Sequence, residues 1–236
     1  MPNSPIPAII IYTILDFGVL FLIKQVIFDF DGTLADSENV FFHVTNDVCR
    51  RFNLPLFDTE RYAYFSSIPI KQAIKELGVK WYQVPRYSLE GCLSFMRRIS
   101  SISLFDGVID LLDELEQIGL GLSIISSNSH ENIRHLLRKN NVRCFDNIIS
   151  VQKLFKKHRF IKNFLKRHDL ESHEVLYVGD EVRDIHACKK ANIKIIAASW
   201  GFDDLNHLKE ENPDYIVNHP SEIVEIINDY DQLQNA

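Results

Sequence analysis

KQVIFDFDGTLADS, residues 24–37, is the stretch that decides the fold. Val26, Ile27, Phe28 and Phe30, with Leu34 just beyond, read as a short strand buried on both faces, ended by the turn at Gly32. That pattern belongs to the central strand of a parallel sheet. The strand runs straight into two carboxylates, Asp29 and Asp31, set two residues apart. Like charges that close repel and raise one pKa. A divalent cation between them makes the arrangement favourable, and oxygen ligands of this kind suit Mg²⁺. Open α/β sheets take their ligands at the carboxyl ends of the strands. The stretch therefore reads as a Mg²⁺ and phosphate site, and the rest of the chain has to supply the missing parts.

Working outward, the following segment is helical. Asp36 or Ser37 is placed to cap a helix through Phe52, on which Val40, Phe41, Val44 and Val48 recur at helical spacing. Pro69 opens a second helix that Gly78 closes, and Pro85 precedes a third through about Arg98. No strand-like alternation falls between Ser37 and Ser103, so residues 37–103 form a small helical module inserted after the first strand. Tyr62, Tyr64, Trp81 and Tyr82 are assigned to its core, and Lys71, Arg97 and Arg98 to its solvated surface.

Beyond the module, strands alternate with helices. Leu122, Ile124 and Ile125 form a second buried strand that ends in Ser126, Ser127 and Asn128 ahead of a helix, a seat suited to an oxyanion or phosphate. Ile148 and Ile149 mark a short strand, and residues 153–168 a basic helix with Phe155, Phe160, Ile161, Phe164 and Leu165 inward. EVLYVG, residues 174–179, is another buried strand, and it too ends in carboxylates: Asp180, Glu181 and Asp184. Strands at 195–198 and 215–217 and a helix from Pro220 complete an α/β, doubly wound parallel sheet with right-handed crossovers.

Composition narrows the function. The net charge of −6 argues against nucleic-acid binding. Cys49, Cys92, Cys144 and Cys188 are scattered with no C-x-x-C pair, as in a reduced cytoplasmic protein. The nine histidines show no zinc-ligand spacing. Residues 6–23 are nearly all apolar, but Asp16 and the absence of any Lys or Arg in residues 1–12 fit neither a membrane span nor a signal peptide. Residues 1–23 read as an extension foreign to the fold, with a short interfacial membrane anchor as the alternative.

Polar groups at three separate strand ends, in this order, resemble the haloacid dehalogenase-like (HAD) hydrolase superfamily, and most closely its phosphoglycolate phosphatase-like group. The resemblance rests on D-F-D-G-T-L-A-D-S at 29–37, I-I-S-S-N at 124–128, Y-V-G-D-E-V-R-D at 177–184, and A-N-I-K…S-W-G-F within 191–202. It covers about Gln25 to Ile226. The family's F-G-K motif falls on Phe155, Lys156 and Lys157, which aligns Lys157 with the motif lysine and leaves Lys156 as its rival. Ser127 stands where many relatives have Thr.

The resemblance implies a HAD-like Rossmannoid core (24–36 and 104–236) with residues 37–103 as a helical cap. It implies Asp29 as the nucleophile that becomes an aspartyl phosphate, and Asp31 as the acid and base. Mg²⁺ would be held by Asp29, Asp180 and the backbone carbonyl of Asp31, with Asp184 behind them orienting Lys157 or a bound water. Lys157, the Ser127 hydroxyl and the Asn128 amide would meet the phosphate oxygens. The implied activity is Mg²⁺-dependent hydrolysis of a small phosphorylated metabolite. The alternatives are a phosphomutase of the same superfamily and a non-catalytic binding protein on this fold.

Overall fold

A computed structural model describes residues 22–68, 70–151 and 156–234. The apolar extension, apart from Leu22 and Ile23, and Phe155 of the basic segment lie outside the described residues. The central strand β1 spans Gln25–Phe28, and all four residues are buried. A two-residue strand β2 (Ala35–Asp36) leads into helices α1 (Glu38–Arg51), α2 (Thr59–Ser67), α3 (Ile70–Glu76) and α4 (Val84–Arg98). The chain returns through β3 (Ser103–Leu104), which pairs antiparallel with β2. The two linkers of the helical insert are thus tied into one short ribbon. Strands of two residues carry no periodic pattern, which is why the sequence did not announce them.

The chain continues as α5 (Val108–Gln117), β4 (Gly121–Ser126), α6 (His130–Lys139), β5 (Phe145–Ser150) and α7 (Lys157–His168). Then come β6 (Val175–Gly179), α8 (Val182–Ala191), β7 (Lys194–Ala198), α9 (Leu205–Glu210), β8 (Tyr215–Val217) and α10 (Glu222–Gln234). Six strands form one parallel sheet in the order β5-β4-β1-β6-β7-β8. The chain winds from β1 out to β5, then crosses back to β6 on the other side of β1. That reversal opens the crevice at the carboxyl end of β1, where open sheets of this kind bind ligands.

Alternation along β1 builds two apolar layers. Val26 and Phe28 face a cluster with Leu111, Leu112 and Leu115 of α5, Ile133 and Leu136 of α6, and Ile223 and Ile227 of α10. Ile27 faces the opposite cluster with Ile161 and Phe164 of α7, Ile185 of α8 and Leu208 of α9. Burying a side chain the size of Phe28 contributes roughly 1.5–3 kcal/mol. Val40, Val44, Phe95 and Ile99 of the insert belong to the first cluster, so the insert's base is continuous with the core.

Two expectations are corrected here. Tyr64, Trp81 and Tyr82 are 49%, 67% and 75% exposed, so they are surface groups of the insert; Val44, Phe57 and Phe95 fill its interior instead. Ser37 stands at the N-cap position of α1 but makes no side-chain cap bond. Its hydroxyl turns to Asp31 instead. Arg97 and Arg98 pair with Glu90 and Asp47, as surface cations of the insert do.

Candidate active site

Asp29 follows β1 directly, and its N–H donates to the Val178 carbonyl of β6 at 2.8 Å. Its own Oδ1 accepts from the Phe30 N–H at 2.8 Å. Both bonds hold the backbone as the strand ends. Gly32 then turns the chain at φ +80, a region costly for any residue with a Cβ. A Cβ on Gly32 would lie 2.1 Å from Asp180 Oδ2, so the loop after β1 touches the carboxylate at the end of β6. Thr33 donates its hydroxyl to Asp180 Oδ1 at 2.6 Å, and the Phe202 N–H donates to Asp180 Oδ2 at 2.9 Å. The Trp200 indole N–H donates to the Thr33 carbonyl at 3.1 Å. Asp180 thereby joins three loops.

Lys157, the first residue of α7, is 5% exposed. Its Nζ donates to Asp29 Oδ2 at 2.7 Å and to Asp184 Oδ1 at 2.5 Å, and it lies 5.6 Å from the centroid of the Tyr177 ring. Lys156 is half-buried and reaches neither carboxylate. The cation among the strand-end acids is therefore Lys157. Asp31 accepts from Ser37 Oγ at 3.0 Å and from Asn128 Nδ2 at 2.8 Å. Asn128 Oδ1 accepts from the Ser129 N–H and from Asn132 Nδ2. The Asn128 amide is thus committed to Asp31 and to the start of α6. Ser127 is half-buried beside it and forms no hydrogen bond among the described residues.

The electrostatics separate the two loop aspartates. Burial works against charge on Asp29, but Lys157 and Arg183 outweigh it and hold the carboxyl below its usual range. Burial and then the Asp29 charge push Asp31 up to about 6, against its bonds from Ser37 and Asn128. Burial also raises Asp180, with Glu181 adding to it, and pushes Asp184 up to about 6. Burial outweighs Arg183 at Glu181 and pushes it up to about 8. Lys157 is held above its usual range, because Asp184 and Asp29 outweigh its burial.

This donor set could hold a metal ion. Ligand atoms of Asp29, Glu181 and Asp184 lie within 4.8 Å of one another. Asp184 Oδ2 is buried without a hydrogen-bond partner among the described residues. All the donors are oxygens, the chemistry that Mg²⁺ takes. Asp180 stands beside this group on the Gly32 and Gly201 side, each of its oxygens accepting one bond and keeping a second lone pair. Glu181, Arg183 and Ser37 enter the site although the sequence reading gave them no part in it. The signal for the first two was Y-V-G-D-E-V-R-D itself, where charges at 181 and 183 flank the start of a helix at a strand end.

Among the described residues no helix is long and apolar enough to cross a membrane. Comparison with known proteins agrees with the architecture. The model of the haloacid dehalogenase-like hydrolase family matches residues 26–198. The chain is 29% identical over 205 residues to a phosphoglycolate phosphatase of Synechococcus elongatus, covering 86% of this chain and 97% of that one. It is 24% identical over 212 residues to the pyrophosphatase PpaX of Oceanobacillus iheyensis, covering 88% and 98%. A haloacid dehalogenase-like family hydrolase from Streptococcus pneumoniae superposes with a TM-score of 0.77 at 23% identity, covering 87% of this chain and 98% of that one. With a family match spanning most of its length, and with the strand-end carboxylates converging where that fold binds its ligand, the chain belongs to the haloacid dehalogenase-like hydrolases.

Proposed function

We propose that the protein is a Mg²⁺-dependent phosphatase that hydrolyses a small phosphomonoester through an aspartyl phosphate on Asp29. One observation carries the reading: Asp29 accepts from the buried Lys157 ammonium at 2.7 Å, which favours its charge, while Asp31, two residues on, is held by Ser37 and Asn128 with burial and the Asp29 charge raising its pKa. Pairs of titratable groups driven apart in this way mark nucleophile and acid–base roles.

A carboxylate attacks without first losing a proton. An Asp29 oxygen bonds to phosphorus as the P–O bond to the alcohol breaks, and Asp31 gives its proton to the departing oxygen. In the second half, Asp31 takes a proton from water, the water oxygen bonds to phosphorus, and the bond to Asp29 breaks to release phosphate. One group serves both halves, which requires a pKa near the working pH. Lys157 and the Ser127 hydroxyl neutralise and orient phosphoryl oxygens. The Asn128 amide keeps Asp31 aimed, in keeping with its 2.8 Å bond.

Asp29, Asp180 and the Asp31 carbonyl would hold Mg²⁺, with Asp184 and Glu181 completing the acidic wall. When bound, the cation offsets the charge that gathers on the transferring phosphoryl group. Residues 37–103 act as a cap that excludes water and selects the substrate, over a core of residues 24–36 and 104–236. Phosphoglycolate, the substrate in the name of the Synechococcus elongatus relative, is the first compound to try. The scattered, unpaired cysteines support a reducing, cytoplasmic setting.

The test is Asp29→Asn. It should keep the fold by circular dichroism and lose Mg²⁺-stimulated hydrolysis of p-nitrophenyl phosphate. Activity equal to that of the unaltered protein would remove Asp29 from the nucleophile role.

A further inference from the structure

A basic face runs away from the cleft, and the chemistry above gives it no task. Helix α7 leads from Lys157 at the site to His168, a rise of about 18 Å over 12 residues, and holds no Asp or Glu. Lys157 turns inward, whereas Arg159, Lys162, Lys166 and Arg167 are exposed, as is Lys190 of α8. None of these five exposed cations has an ion pair or a side-chain hydrogen bond among the described residues. Burial, then Lys190, Arg159 and Lys162, hold the His158 imidazole below its usual range, so cations of both helices act at one point of this face. Asp169 and Glu171 follow the helix and leave the face with an excess of positive charge. In a chain of net charge −6, that is a local reversal of sign.

The far end of this face meets the apolar stretch at residues 6–23. Gln25, at the start of β1, lies in register with Val175, at the start of β6, and the Lys24 N–H donates to the Glu174 carbonyl at 2.8 Å. The chain therefore enters the fold beside the loop that joins α7 to β6, at the pole opposite the cleft. The stretch sets Tyr12, Phe17 and Phe21 among Ile and Leu, and it contains no Lys or Arg. Attachment at a bilayer surface takes two signals, apolar bulk and a polybasic patch. The stretch has the first alone, and the fold supplies the second next to it.

We propose that residues 6–21 and the basic face of α7 and α8 together dock the protein on a bilayer surface that bears anionic lipid. The apolar stretch enters the interface, and Lys162, Lys166, Arg167 and Lys190 meet the headgroups. Docking by this pole leaves the cleft, at the carboxyl ends of the strands, open to water and to a soluble substrate.

The test sediments the full chain with vesicles of phosphatidylcholine alone and of phosphatidylcholine mixed with phosphatidylserine. Binding should be about tenfold or more tighter to the mixed vesicles, and raised salt should release it. Lys162→Gln, Lys166→Gln and Arg167→Gln combined should weaken that binding about a hundredfold, since each cation at an anionic surface is worth about fivefold. Ile10→Asp with Ile14→Asp should weaken it about tenfold or more. Lys71, Lys75 and Lys80 are exposed on the helical insert, far along the chain from this face. Their combined change to Gln removes the same charge and should alter binding by less than about threefold.

No binding to the mixed vesicles, equal binding to both kinds, or an equal loss in the two triple variants overturns the proposal. Capture of the full chain by polyglutamate or duplex DNA in preference to the mixed vesicles assigns the face to another anionic partner and also overturns it. Should the first triple variant not fold by circular dichroism, Lys162→Glu alone takes its place. The readout is binding, so its result stands whether or not the protein hydrolyses phosphomonoesters.

Discussion

Lys157 Nζ meets Asp29 Oδ2 at 2.7 Å across 128 residues of chain. The same ammonium meets Asp184 Oδ1 at 2.5 Å, so one buried cation holds apart two buried anions. That ammonium is the nearest cation to both and, with Arg183, offsets their mutual repulsion.

Removing that cation should be costly. Lys157→Met takes the contacting cation from two buried carboxylates and should lower the stability of the metal-free protein by about 3–5 kcal/mol in urea unfolding. Lys156→Met, outside the cluster, should change it by less than about 0.5 kcal/mol. Similar losses for both variants would remove the assignment of the buried cation to Lys157.

Under the proposed mechanism, the part Asp31 plays depends on the leaving group. A nitrophenolate departs without a proton, whereas an alkoxide needs one. Asp31→Asn should therefore cost about 10²–10⁴-fold with an alkyl phosphate and markedly less with p-nitrophenyl phosphate in the first half-reaction, read as burst kinetics. Equal losses on both substrates would exclude general acid catalysis by this residue.

Metal-free stability should fall as pH rises from 6 to 8. Asp31 and Asp184 titrate near 6 in the fold against an ordinary 3.8, and Glu181 near 8 against 4.5. A group with a raised pKa binds its proton more tightly when folded. Its contribution to stability is present at low pH and is lost as pH climbs through the folded value. Asp29 runs the other way, since its depressed pKa contributes above 3.8 and is lost only in stronger acid. Melting in EDTA should therefore show Tm declining between pH 6 and 8. Mg²⁺ should raise Tm more at pH 7.5 than at pH 5.5, because cation and protons compete for the same oxygens. A Tm that is flat or rises over that range in EDTA contradicts the site's charge balance.

Gly201 is a packing requirement of Asp180, which the proposed function assigns to Mg²⁺. A Cβ there would lie 2.1 Å from Asp180 Cβ, well inside contact distance, so Gly201→Ala must displace the carboxylate. Mg²⁺ affinity, read from the Tm shift on titration, should weaken by about tenfold or more, in the range seen when groups supporting a metal ligand are disturbed. An unchanged affinity would detach Asp180 from cation binding.

Much of the molecule was legible in local chemistry. Apolar runs ending in D-x-D-G-T, S-S-N and G-D-E at residues 29–33, 126–128 and 179–181 marked three strand ends, and helical spacing marked the segments between them. Apolar periodicity and turn residues act within a few positions, so the parallel winding and the pole of the sheet that carries the acids follow from the chain itself, while the strand order came from the structure. Tertiary structure alone decided which partner each polar group takes. The Ser37 hydroxyl prefers Asp31 to its own helix, Asn128 spends its amide on the same carboxylate, and Arg183 pairs with Glu181 at the cleft. It also decided that Trp81 and Tyr82 face outward and that two-residue strands tie the insert's ends. The reason is physical: a hydrogen bond or an ion pair in the interior is won by whichever donor packing brings within about 3 Å, and that competition has no period along the sequence.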